Sequence, residues 1–232
     1  MDATGAIDTE DPTPIRDAAC VILIDGQDLD AKLLLGRRHA DQVFLPNKWV
    51  FPGGRVDDAD HELAKSHPGP YAPADLFPSI RPFAFAAVRE LYEEAGLIIG
   101  TELTPQTEKT SWPAFAQTGL APDPSALTPL ARAITPPGRV RRYDTWFFTA
   151  QRQSLADLNS APDGELLDLA WFTLAEARAL DLPNITRMVL EDITNSLAHE
   201  ADSLSELIPF YYSTTCGFQR TLISCREAIP PP

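Results

Sequence analysis

The stretch RELYEEAG at 89–96 places three glutamates, Glu90, Glu93 and Glu94, behind Arg89. On a helix, Glu90 and Glu94 form a like-charge i,i+4 pair, and the helix dipole disfavours anions near its C-terminus. Arg89 has the spacing to relieve only Glu93 in this way. A divalent cation would relieve all three, and carboxylates favour hard ions such as Mg²⁺ or Mn²⁺. On these residues alone, the alternative interpretation is a solvated helix face.

A second segment favours the metal site. Trp49, Val50 and Phe51 are typical of a short strand, and Gly53 and Gly54 follow it closely. A glycine pair lets the backbone approach a metal ion or a phosphate that side chains would otherwise keep away.

Together the two segments resemble the box of the Nudix hydrolases, G-x5-E-x7-R-E-U-x-E-E-x-G-U, in which U is aliphatic. Gly54 takes the first glycine, and residues 89–97 match the second half without a gap. Asp60 stands where the box has its first glutamate, and 28 residues rather than seven separate it from Arg89. Glu62 is the alternative for this acidic role. A split box with an aspartate is similar to the branch that includes peroxisomal coenzyme A diphosphatases and their bacterial relatives.

The resemblance implies an α/β (α+β) Nudix fold, with a mixed β-sheet sandwiched between helices. It also implies hydrolysis of a phosphoanhydride bond with Mg²⁺ or Mn²⁺, because metal ions neutralise the phosphates and activate water. The metal ligands that it implies are Glu90, Glu93, Glu94 and the Gly53 carbonyl. The catalytic residues that it implies are Glu90, Glu93 and Arg89. Of these, Arg89 would orient a glutamate.

Outside the box, Glu165 opens a predicted strand, where some family members place another metal ligand or catalytic glutamate. A solvated turn residue is the alternative for Glu165. Arginines suit phosphate because guanidinium binds it in a bidentate manner. The candidates for substrate binding are Arg38, Arg139, Arg141, Arg142 and the backbone at Gly54, although any of these arginines can equally be a surface residue.

The substrate is less well defined by the sequence. Coenzyme A diphosphatases carry a signature of their own before the box, and this chain matches it only in part. His39 replaces its serine or alanine, Val43 replaces its arginine, and Asn47 replaces its glycine. Coenzyme A or an acyl-CoA is the first candidate substrate, followed by ADP-ribose, NADH and other nucleoside diphosphate derivatives. Two other classes stay open: a ligand-sensing module without turnover, and an isopentenyl diphosphate isomerase that would use a cysteine such as Cys20.

The elements that must position these residues follow from the hydrophobic pattern. The sequence predicts strands at 17–24, 32–38, 49–51, 141–149 and 166–172, and helices at 83–95, 173–180 and about 185–199. Residues 1–14 are predicted to be a loose tail, and 15–232 a single domain. Two proline-rich stretches, at about 61–82 and 104–138, are predicted to be insertions or long loops.

Composition limits the partners. A net charge of −14 argues against binding long nucleic acids, whereas a small nucleotide-derived substrate remains compatible. No run of about 18 apolar residues or signal-peptide pattern is apparent, and three cysteines cannot all pair internally. We therefore expect a cytoplasmic protein with no membrane partner. The sequence leaves a homodimer open.

Overall fold

The computed structural model describes residues 11–66, 78–108, 112–158, 161–198 and 207–224. The strands are β1 Ile15–Asp25, β2 Lys32–Arg38, β3 Trp49–Val50, β4 Gly53–Arg55, β5 Gly100–Glu102, β6 Leu120–Pro122, β7 Thr128–Ile134, β8 Arg142–Gln151, β9 Leu166–Thr173, β10 Leu207–Thr214 and β11 Gly217–Ser224. The helices are α1 Asp58–Ser66, α2 Arg81–Ala95, α3 Pro105–Glu108, α4 Pro113–Ala116, α5 Leu174–Ala179 and α6 Asn184–Ala198.

Nine of these strands form one mixed sheet in the order β11-β10-β7-β8-β1-β2-β3, with β4 added to β1 and β9 added to β2. β1 and β8 run parallel over ten paired residues at the centre of the sheet. The other edge of β1 is shared, because β2 pairs with its C-terminal end and β4 pairs with Ala18, Ala19 and Cys20 nearer its start. This division of the edge brings the glycine pair next to the central strand.

Two apolar cores lie on opposite faces of the sheet. One core packs α2 against the face that carries Val21, Leu23, Trp146 and Phe148. The other packs α5 and α6 against the opposite face, which includes Ile22, Leu33 and Phe147. The alternation along β1 follows from the two-residue period of a strand. The predicted mixed sheet between helices is confirmed.

The strands and helices expected from the hydrophobic pattern are all present, with shifts of one or two residues at most ends. The interpretation of 104–138 as an insertion or long loop is wrong for residues 128–134, because they form β7, which lies between β8 and β10. Within β7, Pro129 lies next to a register irregularity between β7 and β8, a position at which a strand can accept proline.

The other predicted insertion, at 61–82, is partly helical. α1 runs to Ser66 and α2 begins at Arg81, whereas 67–77 lie outside the described residues. Most of the predicted loose tail, 1–10, also lies outside them. Asp11 is held rather than loose, since it accepts the Gly138 N–H at 2.6 Å. Among the described helices, none is long and apolar enough to cross a membrane.

Candidate active site

The glutamates are positioned by α2, whose limits follow from its sequence. Pro82 lies in its first turn, and Gly96 ends it with φ 67°, a left-handed conformation that suits glycine. On the predicted apolar stripe, Ala84, Ala87, Val88 and Leu91 are fully buried against the sheet, and Ala95 is half-buried. Packing on this stripe sets the rotation of the helix and directs its glutamates toward β4.

The glycine pair meets two of these glutamates. The Gly53 N–H donates to Glu94 Oε2 at 2.7 Å. A β-carbon added at Gly54 would lie 2.5 Å from the Glu90 carboxylate, a distance that real contacts do not reach. Glycine at position 54 therefore allows the backbone of β4 and the carboxylate of Glu90 to lie in direct contact.

Arg89 is the hub of the acidic cluster. Its Nη1 donates to Glu90 at 2.9 Å and to Glu93 at 2.8 Å, and its Nη2 donates to the Arg55 carbonyl at 2.8 Å. Although burial alone would lower the pKa of Arg89, hydrogen bonds to Asp60 and the surrounding carboxylates raise it. The guanidinium is therefore permanently charged and ties the side chains of α2 to the backbone of β4.

The structure separates the two candidates for the first acidic position of the box. Asp60 is fully buried and forms a fork with Arg89, with Nε to Oδ1 at 3.1 Å and Nη2 to Oδ2 at 2.9 Å. Its Oδ2 also accepts the Asp57 N–H at the start of α1, at 2.9 Å. Glu62 points to solvent and pairs with Lys65. Asp60 is thus the acid that contacts the box arginine.

Burial dominates the electrostatics of the cluster. It raises the pKa of Glu90 to about 7, although the positive charge of Arg89 opposes this shift. Burial and the charge of Glu90 also raise the pKa of Glu94 well above its usual range. Two nearly buried carboxylates that repel each other make a site where a cation would be stabilised.

Two predicted residues lie beside this cluster. Arg38, at the end of β2, lowers the pKa of Glu94 through its charge, whereas Glu165 raises it. Glu165 is exposed, and its loop is tied to α2 by a hydrogen bond from the Asp163 N–H to the Glu93 carbonyl at 2.8 Å. Arg38, at the end of β2, and Glu165, just before β9, therefore both lie close enough to act on Glu94.

The remaining arginines divide into two groups. Arg139 and Arg141 are exposed, as a phosphate ligand requires. Arg142 is buried, and its Nε donates to the Thr135 carbonyl at 3.1 Å. The assignment of Arg142 to substrate binding is therefore wrong, because its guanidinium is taken up inside the fold. Gln42 was missed by sequence reasoning; its side chain contacts both Arg38 and Glu165.

Comparison with known proteins agrees with this geometry. A family model described as NUDIX domain matches residues 83–193, which begin inside α2 and leave the glycine pair outside the match. The crystal structure of a NUDIX hydrolase from Alicyclobacillus acidocaldarius superposes with a TM-score of 0.63 at 28% identity, covering 82% of this chain and 95% of that one. The chain thus carries a segment that matches the NUDIX domain model, and its fold is similar to that of a Nudix hydrolase.

Two curated proteins are also similar to this chain. It is 26% identical to acyl-coenzyme A diphosphatase NUDT19 of Gallus gallus, over 70% of this chain and 62% of that protein. It is 35% identical to putative nudix hydrolase 7 of Caenorhabditis elegans, over 36% of this chain and 22% of that protein. The chain thus spans about three fifths of the length of the first relative and about a fifth of the second.

The residues present fit the divalent cation that Nudix hydrolases use. Glu90 and Glu94 offer hard oxygen donors against the glycine pair, and their raised pKa values show that a positive charge is favoured there. Within the described ranges, no three acidic, histidine or cysteine side chains already converge as a metal-binding group. Arg89 instead holds Glu90 and Glu93, and the 44% exposed side chain of Glu93 has room to turn toward an ion.

Proposed function

We propose that this protein is a Nudix hydrolase, that it hydrolyses a pyrophosphate bond in a nucleoside diphosphate derivative with Mg²⁺ or Mn²⁺, and that coenzyme A or an acyl-CoA is the substrate. The observation that carries the proposal is the contact of Glu90 and Glu94 with the glycine pair, in which Arg89 holds the Glu90 carboxylate. The similarity to an acyl-coenzyme A diphosphatase supports the coenzyme A class. ADP-ribose and NADH are the alternative substrates.

Glu90, Glu93, Glu94 and the Gly53 carbonyl are the groups that would hold the ion. When bound, the ion supplies charge neutralisation at the phosphates and a lower pKa for the attacking water. Arg89 orients Glu90 and Glu93 through its Nη1 bonds. The exposed Glu165 carboxylate is the candidate to accept a proton from the water.

Arginines beside the cluster provide the phosphate contacts in this proposal. Arg38 is partly buried and lies near Glu94, so its guanidinium can face a diphosphate held over α2. A cavity of about 350 Å³ opens next to it, lined by residues that include Gln42, Arg141 and Glu165. Arg139 precedes Arg141 on the same exposed stretch and is the outer candidate.

The test is a substrate panel of coenzyme A, acetyl-CoA, ADP-ribose and NADH with Mg²⁺ or Mn²⁺ in ¹⁸O-water, with products read by mass spectrometry. Cleavage of coenzyme A to 3′,5′-ADP and 4′-phosphopantetheine is the expected result. Glu93→Gln and Glu94→Gln should each lower kcat by at least about 10²-fold, because each removes a charge at the transition state. Glu62→Gln is the matched control, since Glu62 is exposed and pairs only with Lys65 among the described side chains. Near-normal turnover in either box variant would contradict the proposal.

The two other classes give different outcomes in the same assay. A sensing module would bind one of these compounds without cleaving it under either metal. An isomerase would depend on Cys20, but burial raises the pKa of this thiol to about 12, unlike that of a reactive thiolate. Cys20→Ala should therefore retain hydrolysis.

A further inference from the structure

The side chain of Gln42 connects two oppositely charged residues of the candidate active site. Arg38 Nη2 donates to Gln42 Oε1 at 2.9 Å, and Gln42 Nε2 donates to Glu165 Oε2 at 3.3 Å. Gln42 and Glu165 are 123 positions apart in the chain and belong to different loops. One amide therefore joins the loop after β2 to the loop before β9.

An amide has the chemistry that this position requires. Its oxygen accepts from a guanidinium while its nitrogen donates to a carboxylate, so it satisfies both neighbours at once. Without it, Arg38 and Glu165 are free to approach each other and form a direct ion pair. Such a pair would occupy the guanidinium needed for phosphate and the carboxylate needed for proton transfer.

Arg38 and the loop that carries Gln42 are held in place. Arg38 Nε donates to the Phe44 carbonyl at 3.0 Å, and the Asn47 N–H donates to the Arg38 carbonyl at 3.2 Å. Within the same loop, Leu45 and Asn47 adopt left-handed φ values of 55° and 59°, which a non-glycine residue keeps only when its surroundings enforce them. The Gln42 end of the bridge is thus built on a constrained loop.

The Glu165 end is also constrained. The Glu165 N–H donates to Asp163 Oδ1 at 2.8 Å, and the Asp163 N–H donates to the Glu93 carbonyl at 2.8 Å. On the adjacent strand, Arg37 Nε and Nη2 both donate to Asp168 Oδ2, at 2.8 and 2.6 Å, across the irregularity between β2 and β9. Backbone anchors therefore bring Glu165 to the end of α2, but its carboxylate is directed by Gln42.

We propose that Gln42 is a positioning residue that holds the Glu165 carboxylate beside the glutamate cluster and keeps it from pairing directly with Arg38. The proposal rests on the pyrophosphate hydrolysis proposed above for the roles of Arg38 and Glu165. The bridge itself rests on the hydrogen bonds of the structure.

The first test compares Gln42→Met and Gln42→Glu with the wild type. Methionine keeps the length of the side chain but removes both hydrogen bonds, and glutamate keeps an acceptor for Arg38 while repelling Glu165. Each variant should lower kcat/KM roughly 10- to 100-fold, the range expected for losing a hydrogen bond to a charged group. Gln117→Met is the matched control, because Gln117 is exposed on α4's C-terminal side. Activity within twofold of wild type in both Gln42 variants would overturn the proposal.

A double-mutant cycle separates positioning from general damage to the loop. If Gln42 acts through Glu165, Gln42→Met should cost clearly less in a Glu165→Gln background than in the wild type. Equal losses in the two backgrounds would overturn the positioning role.

A crystal structure of Gln42→Met provides a readout that does not depend on turnover. The expected result is a direct Arg38–Glu165 ion pair within the usual 4 Å limit. Unchanged positions of both side chains would refute the spacer argument. If the wild type cleaves no compound of the panel, the proposed function fails. The crystal structure of Gln42→Met still decides whether Gln42 separates Arg38 from Glu165.

Discussion

Replacement of Asp60 by asparagine tests the central ion pair of the site. The variant keeps the shape of the side chain but removes its charge, and Asp60 is fully buried against Arg89. The variant also replaces one carboxylate oxygen by an NH₂ group. In the wild type, Oδ1 and Oδ2 of Asp60 both accept from Arg89, and Oδ2 also accepts the Asp57 N–H. Asparagine cannot satisfy all three bonds at once.

The expected loss can be worked out from these contacts. Removing one partner of a buried ion pair costs about 3–5 kcal/mol when the other charge is left alone. Arg89 is not left alone here, since Glu90, Glu93 and the Arg55 carbonyl still accept from it. We therefore expect Asp60→Asn to lower the free energy of unfolding by about 2–3 kcal/mol, mainly through weakened charge-assisted hydrogen bonds.

The assay is urea unfolding of wild type, Asp60→Asn and the control Glu62→Gln, followed by circular dichroism. Glu62 lies two positions away on α1, but its side chain is 74% exposed, so its replacement should stay within about 0.5 kcal/mol. A loss below about 0.5 kcal/mol for Asp60→Asn, or equal losses for both variants, would refute the reasoning that Asp60 is the acid of the split box.

Three further predictions concern the pKa of Glu90, the packing at Gly54 and the reactivity of the cysteines. Because burial raises the pKa of Glu90 to about 7 from 4.5, the folded protein binds this proton more tightly than the unfolded chain. The free energy of unfolding measured in EDTA should therefore fall as pH rises from about 4.5 to 7, and Glu90→Gln should flatten that decline, whereas an unchanged slope would count against the shift. Gly54→Ala would place a β-carbon 2.5 Å from the Glu90 carboxylate, which Arg89 holds, so urea unfolding should show a loss of about 1–3 kcal/mol; wild-type stability would mean that this carboxylate can turn away. Iodoacetamide at pH 8 should modify the exposed Cys216 but not the partly buried Cys20, because desolvation raises the pKa of its thiol to about 12. Peptide mass spectrometry of folded and urea-treated protein checks this, and labelling of folded Cys20 would contradict the raised pKa.

Much of the site was predictable because its second half is a continuous pattern. Residues 89–97 lie on one helix and its C-terminal stop, so local spacing determines which side chains share a face. Spacing does not decide the first half, because 28 residues separate Asp60 from Arg89 and leave Glu62 as an alternative. Only the packing of α1 against α2 shows which acid is buried.

Two errors have identifiable physical causes. In β8, Arg142, Asp144 and Trp146 occupy every second position and therefore share one face, which the tryptophan indicates is buried. This period favours an inward Arg142, whereas the general affinity of arginine for phosphate favours an outward one. Pro129 favours a loop where the structure has β7, because the sequence does not show the register irregularity beside it.

The separation of the box into two parts has a small energetic cost. The entropy of closing a loop grows only with the logarithm of its length, and each doubling costs about 0.6 kcal/mol. Lengthening the connection between the acid and Arg89 from seven to 28 residues is two doublings, or about 1.2 kcal/mol. Burial of Leu63 and Ala64 of α1 against Phe85 of α2 offsets a cost of this size. The motif can therefore keep its spatial arrangement while its spacing in the chain changes, and a search based on fixed intervals would overlook sites of this kind.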